Sequence, residues 1–222
     1  MTKRMLLTKR MLSPVALCLM FAATASAQTT KQPAPPPASE MQGPHAGHQH
    51  GAQQEAPSAE QKYFSDVELL DQDGRKLRFY SDVLKGKTVV INAFFTTCTS
   101  VCPPMNRNME KIQEALGERV GKDVFLVSIS VDPVTDTPTR LKEYSKKFHA
   151  GPGWTFLTGK KENVDWALYK VGQYVEDKQE HTTIIIVGNE ATGLWKKAFG
   201  MAKPAELLQI VESVANDKGE TK

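Results

Sequence analysis

The sequence has few cysteines and lacks any apolar run long enough to span a membrane. Its most apolar stretch, residues 11–23, is shorter than the roughly 20 residues that a membrane-spanning helix requires. That stretch follows a start with four basic side chains and precedes Ala25-Ser26-Ala27, which has the A-x-A pattern of a cleavage site. The pattern predicts a secretory signal over residues 1–27, cleaved near Ala27, and hence a periplasmic protein. Retention of this segment as an N-terminal membrane anchor is the alternative.

Only two of the three cysteines are expected to remain after export. Cys18 lies within the apolar stretch of the signal and is preceded by Leu17. A lipoprotein cleavage site would have a small residue at that position, so Cys18 is expected to leave with the signal. Cys98 and Cys102 then remain as a pair of thiols in an oxidising compartment, where disulfides can persist.

The exported chain also lacks an excess of positive charge. Residues 1–27 contain four basic and no acidic side chains, so their removal changes the formal net charge from +3 to −1. No cluster of Lys and Arg of the kind that binds polyphosphates is left, which argues against nucleic acid as a partner. With this modest charge and no apolar stripe evident in the sequence, a monomer is the default expectation.

Residues 28–61 contain almost no large apolar side chains and are rich in Pro, Ala, Gln and His. Such a composition buries too little surface to offset the entropy of ordering the chain, so the segment is predicted to be a disordered linker. His45, His48 and His50 lie near Met41 in this segment and form a tract that can bind a divalent ion loosely. The alternative is that the tract is polar filler, and both interpretations remain open.

Residues 62–222 have the apolar patterning of one domain of usual size. Two nearly continuous apolar runs predict parallel strands that are buried on both faces. The alternation of strands and helices predicts an α/β sandwich of three layers, with a central mixed sheet and an N-terminal hairpin. The predicted elements are a hairpin over 64–70 and 76–79, strands over 88–95, 124–131, 182–187 and 194–199, and helices over 104–116, 137–148, 163–171 and 204–214.

Cys98 and Cys102 lie four residues apart, between a predicted strand and a predicted helix. On one regular helix, side chains at i and i+4 have Cβ atoms about 5–6 Å apart, whereas a disulfide requires about 3.5–4.5 Å. Two sulfurs on one soft ion lie about 4 Å apart, by analogy with zinc–thiolate bonds of roughly 2.3 Å. The spacing therefore predicts a metal clip that must change conformation to form a disulfide. A disulfide that only stabilises the fold is the alternative, although so short a loop contributes only about 2 kcal/mol.

The residues next to this pair have further expected roles. Pro103 and Pro104 place the pair at a helix N-terminus, where the helix dipole favours thiolates. Met105 and Met109 lie four residues apart on the amphipathic face of that helix and are predicted to pack in the core rather than to bind metal. His149 follows the second predicted helix and is expected to be solvated.

The order of several motifs in this domain resembles the SCO/SenC family of copper-delivery proteins. The cysteine run is followed by Ser-Val-Asp-Pro at 130–133, Asp-Thr-Pro at 136–138, Trp-Thr-Phe-Leu-Thr-Gly at 154–159 and His181. The resemblance covers essentially the whole domain. It implies a thioredoxin-like fold and a copper site formed by Cys98, Cys102 and His181.

The resemblance also implies which ion this site binds and which partner receives it. Two thiolates select Cu(I), and the imidazole of His181 makes the site usable for Cu(II) as well. Asp132 is implied to be a carboxylate near the copper, and its alternative role is an Asp-Pro turn after a strand. The implied partner is the copper-accepting subunit of cytochrome c oxidase, whose binuclear copper centre receives the ion. Another periplasmic copper carrier is a further candidate partner.

Three functions remain in competition. In the first, the protein is a metallochaperone that passes copper to its partner by ligand exchange. In the second, it is an enzyme, a thiol-disulfide oxidoreductase that uses Cys98 and Cys102 to reduce the cysteines of the copper acceptor. The spacing differs from the usual C-x-x-C, which weakens that interpretation. The third, a peroxiredoxin-like peroxidase, ranks last because a peroxidatic cysteine needs no partner histidine.

Overall fold

A computed structural model describes residues 56–219. The predicted signal with Cys18 and the tract of His45, His48 and His50 lie outside the described residues. The helices are α1 (Ala59–Phe64), α2 (Cys102–Leu116), α3 (Pro138–Lys146), α4 (Lys161–Lys170) and α5 (Pro204–Ala215), with a π-helical turn at Phe79–Leu84 and 3-10 turns at Gly117–Arg119 and Lys178–Glu180. The strands are β1 (Glu68–Asp71), β2 (Lys76–Arg78), β3 (Thr88–Phe94), β4 (Val124–Ser130), β5 (Trp154–Thr158), β6 (Ile184–Asn189) and β7 (Leu194–Phe199).

The strands form one mixed sheet in the order β2-β1-β5-β4-β3-β6-β7. Strands β3, β4 and β5 are parallel, and the other neighbours are antiparallel. All seven residues of β3 are buried, because helices cover both faces of the sheet at its centre. The predicted buried parallel strands and the hairpin at one edge are therefore confirmed.

The two faces of the sheet carry separate apolar cores. On one face, helices α2, α3 and α5 contribute Met105, Leu141 and Leu207. On the other face, α1, the π-helical turn and α4 contribute side chains that include Phe79 and Leu168. This arrangement confirms the predicted three-layer sandwich. Within residues 56–219, no helix combines the length and the apolar composition needed to cross a bilayer.

A chain of buried polar side chains connects α2 to the sheet through the first core. The amide of Asn92 on β3 donates to Asn106 on α2 at 2.8 Å, and the amide of Asn106 donates to the Tyr144 hydroxyl on α3 at 3.0 Å. On the sheet side, Ser128 donates to Asn92 at 2.6 Å and accepts from the Trp154 indole at 2.9 Å. Buried polar groups are costly unless they are paired, so this chain favours one position of α2 on the sheet.

Several local features differ from the prediction. The first arm of the hairpin begins at Glu68 instead of residue 64, because residue 64 belongs to α1. Strand β5 was not predicted, although it lies between the two helices α3 and α4 and is paired in parallel with β4. Helix α1 begins at Ala59, whereas the linker was predicted to extend to residue 61. The Ser58 hydroxyl caps this helix by accepting from Gln61 N at 3.1 Å. The second predicted arm of the hairpin ends at Arg78, because the chain enters the π-helical turn there.

Candidate metal centre

The cysteine segment lies where strand β3 ends. The chain leaves β3 at Phe94, turns through residues 95–101 and enters α2 at Cys102. Within this turn, Cys98 N donates to Phe95 O at 3.1 Å. Helix α2 begins two residues earlier than predicted, and Cys98 precedes it, so the i, i+4 geometry of one regular helix does not apply to the pair. We call the end of the sheet at which β3 and β4 finish and β6 begins the site end.

The structure brings the predicted trio together at the site end. His181 lies three residues before the start of β6, which is antiparallel to β3, so the histidine meets the cysteines despite a separation of 79 residues from Cys102. The thiol sulfurs of Cys98 and Cys102 and a ring nitrogen of His181 all lie within 4.8 Å of one another. The exposed fractions are 7% for Cys98, 0% for Cys102 and 9% for His181. Both cysteines are free thiols.

The ring of His181 has a fixed orientation. Its Nδ1 lies 2.8 Å from Lys178 O, and its Nε2 lies 3.1 Å from the sulfur of Cys102. A carbonyl oxygen only accepts hydrogen bonds, so Nδ1 carries the proton and the lone pair of Nε2 faces the thiols. The Phe95 ring packs against the imidazole at a centroid distance of 5.1 Å, close to perpendicular. Burial lowers the pKa of His181 and outweighs the opposite effect of the hydrogen bond to Lys178, which favours the neutral, metal-binding form.

The two thiols have different acidities. For Cys98, burial acts to raise the pKa, but hydrogen bonds from the Cys102 thiol and amide and from Ser100 outweigh it and lower the pKa. For Cys102, burial and the neighbouring Cys98 raise the pKa. The expectation that the helix N-terminus favours both thiolates is therefore wrong for Cys102. Of the two thiols, Cys98 is therefore the one that loses its proton more readily.

Asp136 holds the cysteine segment in place, a role that the sequence interpretation missed. Its carboxylate is fully buried and accepts hydrogen bonds from the Thr96 amide at 3.1 Å, the Thr96 hydroxyl at 2.5 Å and the Ser130 hydroxyl at 2.6 Å. Thr96 lies two residues before Cys98. The sequence gives a weak signal for this role, since an aspartate so close to a buried strand has to find donors.

Asp132 is connected to His181 through Lys178. Its carboxylate lies 2.6 Å from the Lys178 ammonium, and the carbonyl of the same lysine orients the His181 ring. Burial acts to raise the pKa of Asp132, but hydrogen bonds from Lys178 and Thr135 outweigh it and lower the pKa. The Asp132 carbonyl also accepts from the amides of Thr135 and Asp136, as in a turn. The structure supports the turn role of Asp132, whereas its role as a carboxylate near the copper stays a prediction, and no local pattern indicated Lys178.

The remaining candidates are Met105, Met109 and His149. Met105 and Met109 are fully buried in the first core, as predicted. The side chain of His149 is 80% exposed, as expected for a solvated residue, and its Nδ1 lies 2.5 Å from a Glu110 oxygen. Among residues 56–219, His149 does not belong to the cluster of His, Cys, Asp and Glu side chains that could hold a metal ion.

The trio has the dimensions and chemistry of a soft-metal site. Donor atoms bound to one ion at about 2.0–2.3 Å lie roughly 3.5–4 Å apart, so the observed separations of 3.1–4.8 Å need only small side-chain movements. Two sulfurs suit Cu(I), and a neutral imidazole extends the range to borderline ions. The pair of thiols is also suited to reversible disulfide chemistry.

This chain is similar to a known protein family and to solved structures of its members. The family model described as SCO1/SenC matches residues 55–216. A SCO2-like protein of Rickettsia felis is 41% identical over 165 residues, which cover 68% of this chain and 76% of that protein. Two solved structures superpose on the domain. The ScoI of Bradyrhizobium japonicum, with copper bound, has a TM-score of 0.55 and 26% identity, and the match covers 66% of this chain and 96% of that one.

The second structure is that of BsSco, described as a member of the Sco family of cytochrome c oxidase assembly proteins with a disulfide switch. It has a TM-score of 0.57 and 25% identity, and the match covers 70% of this chain and 94% of that one. The family model alone spans well over half of the chain. This chain belongs to the SCO1/SenC family.

Proposed function

We propose that this protein binds one copper ion through Cys98, Cys102 and His181 and delivers it to the binuclear copper centre of cytochrome c oxidase. The observation that carries the proposal is the convergence of two free thiols and an oriented imidazole within 4.8 Å. The relative whose structure contains copper supports copper as the ion. The description of BsSco as an oxidase assembly protein supports the destination.

The geometry also indicates how the ion leaves the site. Cys102 is fully buried, whereas Cys98 and His181 are slightly exposed. Ligands of an acceptor therefore reach the ion from the side of Cys98 and His181, and Cys102 is the last ligand to be replaced. Each bond from the ion to this chain is exchanged for one bond to the acceptor, so the transfer needs no change in the oxidation state of copper.

The test counts bound copper in the exported chain, residues 28–222, after reduction and reconstitution with Cu(I) or Cu(II). We expect one ion per wild-type chain and loss of Cu(I) binding in Cys98→Ser and Cys102→Ser. His181→Ala should mainly lose Cu(II), because the remaining thiolates still suit Cu(I). His149→Ala is the matched control, since it removes an exposed imidazole away from the trio. Equal binding by all four variants would refute the proposed site.

Two expectations lie in the part of the chain before residue 56 and are tested with the same protein. We propose that the chain is exported to the periplasm and cleaved near Ala27, so the mature N-terminus should be Gln28. The histidine tract is tested by deleting residues 28–55, which leaves the Ser58 cap of α1 intact. A stoichiometry of one ion with and without these residues would identify the tract as filler. A wild-type chain that binds more than one ion and falls to one after the deletion would identify an auxiliary site.

A second candidate function is reduction of the acceptor's cysteines. It is favoured by the two free thiols lying side by side and by their unequal exposure, because only Cys98 can be reached from outside. The Cys98 thiolate would attack an acceptor disulfide, and Cys102 would then displace the acceptor from the mixed disulfide. The acceptor gains two electrons and two protons, while Cys98 and Cys102 become a disulfide. Cys102→Ser should trap the mixed disulfide with an oxidised acceptor peptide, and failure to trap it would count against this function.

A further inference from the structure

The exposed apolar side chains of this domain are concentrated at one end of the sheet. In residues 56–219, four large apolar side chains are exposed: Tyr63, Val134, Phe199 and Met201. Three of them, Val134, Phe199 and Met201, belong to segments at the site end. The fourth lies on α1. Single exposed apolar residues are common on soluble proteins, but several around one functional site indicate a contact surface.

The residues on both sides of Val134 connect its turn to the candidate metal site. It is 80% exposed and lies in the turn between Asp132 and Asp136. Asp132 binds Lys178, three residues before the candidate ligand His181, and Asp136 binds Thr96, two residues before Cys98. The turn that presents Val134 is therefore bonded to both ligand-bearing segments.

Phe199 and Met201 are held against the other side of the site. They flank Gly200, whose amide donates to Thr183 O at 2.7 Å, two residues after His181. A Cβ atom on Gly200 would lie 3.0 Å from the side chain of Met105, in the first turn of α2. Asn108 on α2 donates to the carbonyl of Gly200 at 2.7 Å. The turn after β7 is thus fixed to α2 and to the start of β6.

The order of the strands places the candidate ligands between these apolar side chains. Along the site end, Val134 follows β4, Cys98 follows β3, His181 precedes β6 and Phe199 ends β7. These four strands are consecutive neighbours in the sheet. An acceptor that reaches Cys98 and His181 must therefore cover the surface between Val134 and Phe199.

The same surface carries negative charge. Residues 95–101, 131–137, 171–183 and 199–203 contain five carboxylates and two lysines, a formal net charge of −3. Arg140, whose guanidinium lies 3.3 Å from the Thr96 hydroxyl, reduces this to −2. The exposed carboxylates, Glu176, Asp177 and Glu180, lie together in the segment that ends at His181. A partner that docks there gains from basic side chains on its own surface.

We propose that the site end is the docking surface for the copper acceptor, with Val134, Phe199 and Met201 as its apolar contacts and the segment of Glu176 and Glu180 as its acidic rim. The occupant is a protein domain that surrounds its copper ligands with apolar side chains and flanks them with lysine or arginine. This inference rests on the proposed delivery of copper. It adds a surface that recognises the acceptor but does not bind the ion.

The test compares transfer to a protein acceptor with removal by a small chelator. Exported chain loaded with Cu(I) is mixed with the soluble domain of the copper-accepting oxidase subunit of the same organism, or with bathocuproine disulfonate. The apolar variant combines Val134→Ser, Phe199→Thr and Met201→Ser, and the control is Tyr63→Ser on α1. We expect the apolar variant to bind one ion and to lose it to the chelator at the wild-type rate. Transfer to the oxidase domain should slow by about tenfold or more.

The charge component is tested by Glu176→Gln combined with Glu180→Gln. We expect slower transfer at low salt and a weaker dependence on ionic strength than for the wild type, because charges at an interface rim act mainly on the association rate. Asp177 is left unchanged, since its carboxylate accepts from Gln179 N at 2.9 Å within the same segment.

The outcomes separate the docking surface from the proposed function. Wild-type transfer rates in the apolar variant would overturn the docking surface and leave copper delivery intact. An apolar variant that no longer binds copper would also overturn it, because the three side chains would then belong to the metal site. A wild-type chain that binds no copper would overturn the proposed function itself. A wild-type chain that binds copper but passes none to the oxidase domain would overturn the delivery and the docking surface together.

Discussion

The ion pair of Asp132 and Lys178 predicts a selective weakening of Cu(II) binding when it is removed. The two charged groups lie 2.6 Å apart, and the Asp132 side chain is only 11% exposed. Lys178 belongs to the segment that carries His181, and its carbonyl fixes the imidazole ring. In Asp132→Asn, the segment loses its charged attachment to the turn after β4, so the ring of His181 is held less firmly toward the thiols.

The size of the effect follows from the burial of the pair. A fully exposed ion pair contributes about 0.2–1 kcal/mol, whereas a hydrogen bond to a charged group contributes about 1.5–3 kcal/mol. Because Asp132 is mostly buried and Lys178 is about one-third exposed, we expect the pair to stabilise the closed segment by about 1–2 kcal/mol. In Asp132→Asn, part of the free energy of copper binding is used to close the segment of His181. The affinity for Cu(II) should therefore fall by about five- to thirtyfold.

The assay is a competition titration of the exported chain with Cu(II) and with Cu(I) at pH 7. Cu(II) affinity should fall by the factor above, and Cu(I) affinity should fall less, because two thiolates hold that ion without the imidazole. Asp165→Asn is the control, since it removes a carboxylate that pairs with Lys161 on the surface of α4. A Cu(II) affinity of Asp132→Asn within twofold of the wild type would refute the reasoning.

Two further predictions concern the stability of the fold. Asn106→Leu removes the central member of the buried polar chain and leaves its partners unpaired. The free energy of unfolding in urea should therefore fall by about 2–3 kcal/mol. A change below about 0.5 kcal/mol would show that these hydrogen bonds contribute little. Asp82 accepts from the amide and the guanidinium of Arg78, and these hydrogen bonds lower its pKa to about 2. Its folded-state pKa lies below the unfolded value, so the stabilisation is complete above about pH 4 and is lost as the pH falls through about 2. After screening by solvent, this stabilisation is about 1 kcal/mol. The free energy of unfolding of Asp82→Asn should therefore lie below that of the wild type at pH 6 and converge with it toward pH 2. A difference that does not vary with pH would contradict this assignment.

The central sheet could be predicted from the sequence because its physical signal is strong. Strands β3 and β4 are buried on both faces, and this requires nearly unbroken apolar runs. Strand β5 was missed although Trp, Thr and Phe favour strands, because a run of five residues is too short for its pattern to decide between strand and helix. Its identity as a strand depends on pairing with β1 and β4, which a local pattern does not contain.

The site was predicted in part, for reasons that differ between its residues. The nearness of Cys98 and Cys102 follows from their spacing, whereas the approach of His181 depends on the antiparallel pairing of β6 with β3 and was inferred only through the family resemblance. The role of Lys178 rests on a backbone carbonyl, which has no sequence signature. The start of α2 was placed two residues late because proline was taken as its beginning, although Cys102 already belongs to the helix.

The claim that Cys98, Cys102 and His181 bind one copper ion is tested most directly by X-ray absorption at the copper edge on the Cu(I)-loaded exported chain. We predict that the copper ion has two sulfur neighbours at roughly 2.2–2.3 Å and one nitrogen neighbour at about 2.0 Å, by analogy with other thiolate and imidazole bonds. In His181→Ala, the nitrogen neighbour should disappear and both sulfurs should remain. A copper ion surrounded only by nitrogen and oxygen, or a nitrogen neighbour that persists in His181→Ala, would contradict binding by these three residues.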